Sequence, residues 1–129
     1  MHRLVVAFAG STGSGKTTLI VRLVGHYTGR GESVGVIKHT HHPLNQENRG
    51  DTARFLDAGA RVAILAGDGE AVVFSRDGAP AFRRFDDPQS LIRSIDAEII
   101  FVEGFKSAMS YDRVELAGLV KFVDRIGPR

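Results

Sequence analysis

The stretch GSTGSGKTT, residues 10–18, follows directly on the apolar run Leu4-Val5-Val6-Ala7-Phe8-Ala9. It satisfies the spacing G-x-x-x-x-G-K-[ST], a glycine-rich turn between a buried strand and a helix that wraps polyphosphate. Gly10, Gly13 and Gly15 let the backbone take unusual dihedrals, so that the amides of Ser11, Thr12 and Ser14 can approach phosphate oxygens. The helix that follows aims its positive end at the same anion. Lys16 supplies a mobile positive charge for the outer phosphates, and Thr17 offers a hydroxyl to Mg²⁺. Thr18 is placed on the α-phosphate side. Ser11 occupies the position where partitioning-type ATPases of the deviant P-loop subclass carry an extra lysine, so that subclass is excluded. No N-K-x-D box for reading guanine is present.

Outward from this loop the pattern is α/β. A strand over residues 3–9 and a helix from Gly15 to Tyr27 are expected, with Leu19, Ile20, Leu23 and Val24 at helical spacing and Thr28-Gly29-Arg30-Gly31 as the stop. Residues 33–38, SVGVIK, form a second strand, and the β-α-β unit implies a parallel sheet. HTHHPLNQENRG reads as a loop, followed by a helix capped by Asp51 that ends at Gly59 and turns Ala53 and Leu56 inward. RVAILA (61–66) is a third strand. Residues 70–75 and 79–85 flank RDGA, an Asp-Gly hairpin signal, so an antiparallel pair should extend the sheet. Asp87-Pro88 starts a helix through Leu91, Ile92 and Ile95, and EIIFV (98–102) is the last buried strand. The tail from Asp112 to Ile126 favours an amphipathic helix, with a strand at LVKFVD as the alternative. The fold class expected is a three-layer P-loop NTPase fold, a mostly parallel sheet extended by an antiparallel hairpin, in a single domain over residues 1–129.

The composition is ordinary for a soluble globular chain, with 43% hydrophobic and 25% charged residues. No apolar run reaches the roughly 20 residues of a membrane span, and no secretory leader is recognisable before the glycine loop. The absence of cysteine removes disulfides and thiolate metal sites, and agrees with a cytoplasmic location. A net charge of +2 without a basic block suits an anionic ligand, but not nucleic acid.

A P-loop site needs a carboxylate at the end of a neighbouring buried strand for Mg²⁺. Glu103 is the preferred candidate, because a carboxylate at the tip of so apolar a run is costly without a partner, and Gly104 permits close backbone approach. Asp51 is divided between helix capping and a metal or phosphate-water role. KHTHH (38–42) lies at the carboxyl edge of the second strand, where α/β folds bind ligands. Three readings stand for His39, His41 and His42: a metal site, an anion site shared with Lys38, or an exposed polar loop. The anion site is preferred, because the histidines lack the i, i+4 spacing of a helical chelate. Lys106 is a further candidate for the same anion, and Arg83-Arg84 reads as a surface pair.

GSTGSGKTT, GVIKHTHH, GDTARFLDAGA and FVEGFK, in that order, resemble the molybdopterin-guanine dinucleotide biosynthesis adaptor (MobB) family over residues 4–106. KHTHH and VEGFK carry the specificity of the resemblance, since the P-loop alone is widespread. The resemblance implies a dimeric GTP-binding protein with at most weak GTPase activity. It implies an assisting role to the molybdopterin guanylyltransferase (MobA-like) that joins GMP to molybdopterin. It further implies that Gly13, Gly15, Lys16, Thr17 and Thr18 hold GTP, that Thr17 and Glu103 serve Mg²⁺, and that Lys38, His39, His41 and His42 line a cleft for phosphate or pterin. Asp51 and Lys106 match family positions. The stretch after VEGFK is shorter than is usual for the family, which leaves guanine recognition open. Two other classes compete: a nickel-type metal-insertion GTPase using the histidine loop, and a small P-loop kinase, which would need an arginine-rich lid.

Overall fold

A computed structural model of the chain describes residues 4–9, 15–41, 43–44, 49–105 and 113–115. Its elements in chain order are β1 (Leu4–Ala9), α1 (Lys16–Gly29), β2 (Val34–His39), α2 (Arg49–Asp57), β3 (Val62–Ala66), β4 (Glu70–Ser75), β5 (Ala81–Arg84), α3 (Pro88–Arg93), β6 (Ile99–Glu103) and β7 (Arg113–Glu115). The strands form one seven-stranded sheet in the order β5-β4-β3-β2-β6-β1-β7. β6 is inserted between β1 and β2 and runs parallel to both, and β2 pairs parallel with β3. β4 and β5 extend the sheet antiparallel, as the RDGA hairpin requires.

Strand alternation sorts the core into two layers. Val6, Phe8, Val34, Val36, Ile99 and Phe101 face α1 and α2, and pack on Ile20, Val24, Tyr27 and Phe55. Phe101 meets Phe8 edge-on with ring centroids 5.6 Å apart. Their neighbours Ala7, Ile37, Ile64, Ile100 and Val102 face the opposite way, onto Leu91, Ile92 and Ile95. The parallel strands are therefore covered on both faces, which is why they read as unbroken apolar runs rather than alternating ones. This is the three-layer architecture expected. Among the described residues no helix is long and apolar enough to cross a membrane.

α3 begins as its sequence dictates: Asp87 precedes Pro88, and its carboxylate accepts a hydrogen bond from the Ser90 amide at 3.0 Å. α2 departs from expectation. It begins at Arg49, so Asp51 lies inside its first turn rather than capping it. That shift rotates the helix: Thr52 and Phe55 are buried, Leu56 is partly buried, and Ala53 is exposed instead of inward. Phe55 is the largest apolar side chain of the segment, and its burial outweighs that of a methyl group. In the tail, Arg113–Glu115 is a strand parallel to β1, with Phe8 opposite Val114, not the start of a helix. The otherwise open edge of β1 offers backbone donors and acceptors, and these outweigh a short segment's helical periodicity. The rest of the expected terminal helix lies outside the described residues.

Candidate functional site

The first turn of α1 is prepared for an anion. Gly15 is its N-cap with φ 91°, in the left-handed region that only glycine enters cheaply, and Leu19 N–H donates to its carbonyl at 3.0 Å. The first turn holds no acidic side chain, so the amides and the helix dipole meet no competing negative charge. Lys16 and Thr17 open the helix, with Thr18 exposed beside them. Gly10, Ser11, Thr12, Gly13 and Ser14 lie outside the described residues.

Thr17 joins this turn to the far end of the chain. Its hydroxyl donates to Oε1 of Glu103 at 3.0 Å, across a separation of 86 residues. Glu103 ends β6, opposite Phe8 of β1 and Lys38 of β2, on the sheet face that carries α1. It is 8% exposed. A carboxylate so buried needs compensation, and Lys38 supplies it with Nζ 3.8 Å from Oε2. The same ammonium pairs with Asp51 of α2, whose other oxygen lies 3.8 Å from Arg54. Thr17, Glu103, Lys38 and Asp51 therefore form one chain of hydrogen bonds and ion pairs linking α1, β6, β2 and α2. A hydroxyl and a carboxylate side by side are hard oxygen donors of the kind Mg²⁺ takes alongside water and phosphate oxygens, so these residues fit that ion.

His39 and His41 go elsewhere. Lys38 shares a strand face with Val34 and Val36, whereas His39 follows Ile37 onto the α3 side. The His39 ring stacks on Phe105 with centroids 4.2 Å apart and planes inclined by 21°, and meets His41 edge-on at 4.7 Å. His39 Nε2 lies 2.9 Å from Oδ1 of Asp68, in the turn between β3 and β4. Gly104 makes this close packing feasible: its φ is 99°, and a Cβ there would stand 2.7 Å from Cβ of His39. Phe105 follows at φ 54°, a left-handed conformation costing a non-glycine residue about 1–2 kcal/mol, and is retained with its ring buried over His39. The residues considered together as one anion site thus divide between two sheet faces, Lys38 and Asp51 on one, His39 and His41 on the other. His42 and Lys106 lie outside the described residues.

Asp68 and Phe105 escaped the sequence reading. Gly67-Asp68-Gly69 is a second Asp-Gly turn, and recognising it as the β3–β4 hairpin would have brought Asp68 back over the end of β2. No pattern in the sequence marks the conformation of Phe105.

With this geometry in place, a family model for MobB, described as molybdopterin guanine dinucleotide synthesis protein B, matches residues 5–119. The chain belongs to this family. It is 34% identical over 129 residues to the molybdopterin-guanine dinucleotide biosynthesis adapter protein of Escherichia coli (strain K12), with 97% of this chain and 69% of that protein covered. A relative from Methanocaldococcus jannaschii is 30% identical over 124 residues, covering 95% of this chain and 49% of its own length. The crystal structure of Bacillus subtilis MobB superposes with a TM-score of 0.51 at 27% identity, over 87% of this chain and 66% of that one. The chain thus spans about half to two thirds of the length of these relatives. The MobB-family match includes the glycine loop, KHTHH and VEGFK.

Proposed function

We propose that the chain is a nucleotide-holding adaptor in the synthesis of molybdopterin guanine dinucleotide, with GTP at the N-terminus of α1 and Mg²⁺ between Thr17 and Glu103. The observation that carries this reading is the 3.0 Å hydrogen bond from Thr17 to Glu103, which closes the glycine loop's helix onto the second acidic group such a site needs. Family membership supplies the pathway. Gly15, Lys16 and the first-turn amides would hold phosphate, Thr17 and Glu103 would hold the ion, and Lys38 offsets the carboxylate charge of Glu103 across 3.8 Å. The ion, when bound, neutralises phosphate charge. The partners are a second copy of the chain, molybdopterin and a molybdopterin guanylyltransferase, acting in the cytoplasm.

In this reading the chain holds the nucleotide, with at most weak GTPase activity. Gln89 lies in α3, on the sheet face away from Thr17, and Gln46 lies outside the described residues. Arg83 and Arg84 lie in the edge strand β5, with β4, β3, β2 and β6 between it and β1. A kinase-type lid over the phosphates finds no support there. Calorimetric titration with GTP, ATP and GDP tests the proposal. GTP and GDP are expected to bind more tightly than ATP, and a preference for ATP overturns it.

A further inference from the structure

From the cluster at the end of β2 we infer a second ligand site, independent of the nucleotide: a zinc site formed by His39, His41 and Asp68. Among the described residues, these three offer ligand atoms that all lie within 4.8 Å of one another. Two imidazole nitrogens and a carboxylate oxygen are a donor set that zinc accepts, with a fourth position left to water or a further ligand. Hard Mg²⁺ and Ca²⁺ favour all-oxygen sets instead.

The site is built asymmetrically. His41 lies just past the end of β2, and its ring meets that of His39 edge-on, so the two share a side without the i, i+4 spacing of a helical chelate. A hydrogen bond from Thr40 N–H to the Ala66 carbonyl, at 2.8 Å, ties the segment between them to β3. The β3–β4 turn, closed by Gly67 N–H on the Glu70 carbonyl at 2.8 Å, then delivers Asp68 from the neighbouring strand. His39 is the fixed member: its side chain is only 10% exposed, and it is clamped by the Phe105 ring. Asp68 is the adjustable member, with its side chain 81% exposed, and His41 is exposed as well. Zinc binds nitrogen and oxygen at about 2.0–2.2 Å, which sets tetrahedral donors roughly 3.3 Å apart. The His39–Asp68 pair, at 2.9 Å, is already near that spacing, and only solvent-facing side chains have to move to complete it.

Two arrangements at adjacent residues thus serve different ligands. Lys38 reaches Glu103 and Asp51 on the α1 side, while His39 reaches Asp68 on the α3 side. The chain carries five histidines, so the location of the ion has to be tested along with its binding. The full chain, dialysed against chelator, is titrated with Zn²⁺, and with Co²⁺ as a spectroscopic probe of coordination geometry. One Zn²⁺ per chain and tetrahedral-type Co²⁺ absorption are expected. Loss of an outer-shell partner already costs about 10–100-fold in metal affinity, so Asp68→Ala and His41→Ala, which remove direct ligands, should each weaken Zn²⁺ by at least about that much. Both side chains are exposed, so the metal-free thermal midpoint of each variant should match that of the parent. His39→Ala is a poorer test, because it also removes the stack on Phe105. Failure to retain Zn²⁺, a stoichiometry other than one, or parent-like affinity in either variant overturns the assignment.

Discussion

Lys16→Ala is expected to lower GTP affinity by roughly 10²–10³-fold while leaving the fold intact. Charge-assisted hydrogen bonds contribute about 1.5–3 kcal/mol each, and a P-loop lysine makes such bonds to the outer phosphates. Losing about 3–4 kcal/mol corresponds to that factor in Kd. The loss should fall on binding rather than stability, since Lys16 opens α1 instead of packing in either core layer. Calorimetry gives the affinity, and the unfolding midpoint of the nucleotide-free variant checks the fold. Equal GTP affinity in the two proteins would remove the basis for a nucleotide site.

Lys38→Met should have the opposite signature, a large loss of stability without nucleotide. Lys38 is the cation between Glu103 and Asp51, and the three side chains are only 10–17% exposed. A methionine leaves two little-exposed carboxylates without their shared ammonium, and among the described residues the half-exposed Arg54 still pairs with Asp51. Breaking a fully buried pair costs about 3–5 kcal/mol, and the residual exposure and Arg54 reduce that here to about 2 kcal/mol. For a domain of this size that is a fall of roughly 6–10 °C in the thermal midpoint. Mg²⁺ with GTP should recover part of the loss, because it supplies positive charge to Glu103. An unchanged midpoint would mean that the two carboxylates do not depend on Lys38.

The sequence disclosed the nucleotide half of the structure more fully than the histidine half. The glycine loop between an apolar run and a helical pattern placed β1 and α1. Glu103 stood out because a carboxylate ending IIFV requires a partner, and the partners proved to be Thr17 and Lys38. The division of KHTHH was harder to see. The strand continues one residue further than its apolar run, through His39, so pleat alternation separates His39 from Lys38. A loop beginning directly after Lys38 would leave the His39 ring free to turn toward the same anion, and the strand does not. The phase of α2 differs from the sequence expectation for a comparable reason: capping propensity at Asp51 is local, whereas burial of Phe55 is set by the sheet beneath it. Asp68 and Phe105 reach the site through a hairpin and a left-handed backbone turn, which juxtapose residues far apart in the chain.

The Mg²⁺ dependence of GTP binding, measured by calorimetry in the parent chain and in Glu103→Gln, tests the central claim most directly. Glutamine preserves an oxygen for the Thr17 hydroxyl but removes the charge an Mg²⁺ site needs. Mg²⁺ should raise GTP affinity of the parent by about tenfold or more, near 1.4 kcal/mol, and do so little for the variant. The two proteins should bind GTP similarly without the ion. An equal Mg²⁺ increment in both would contradict the assignment of Glu103 as the second half of the ion's site.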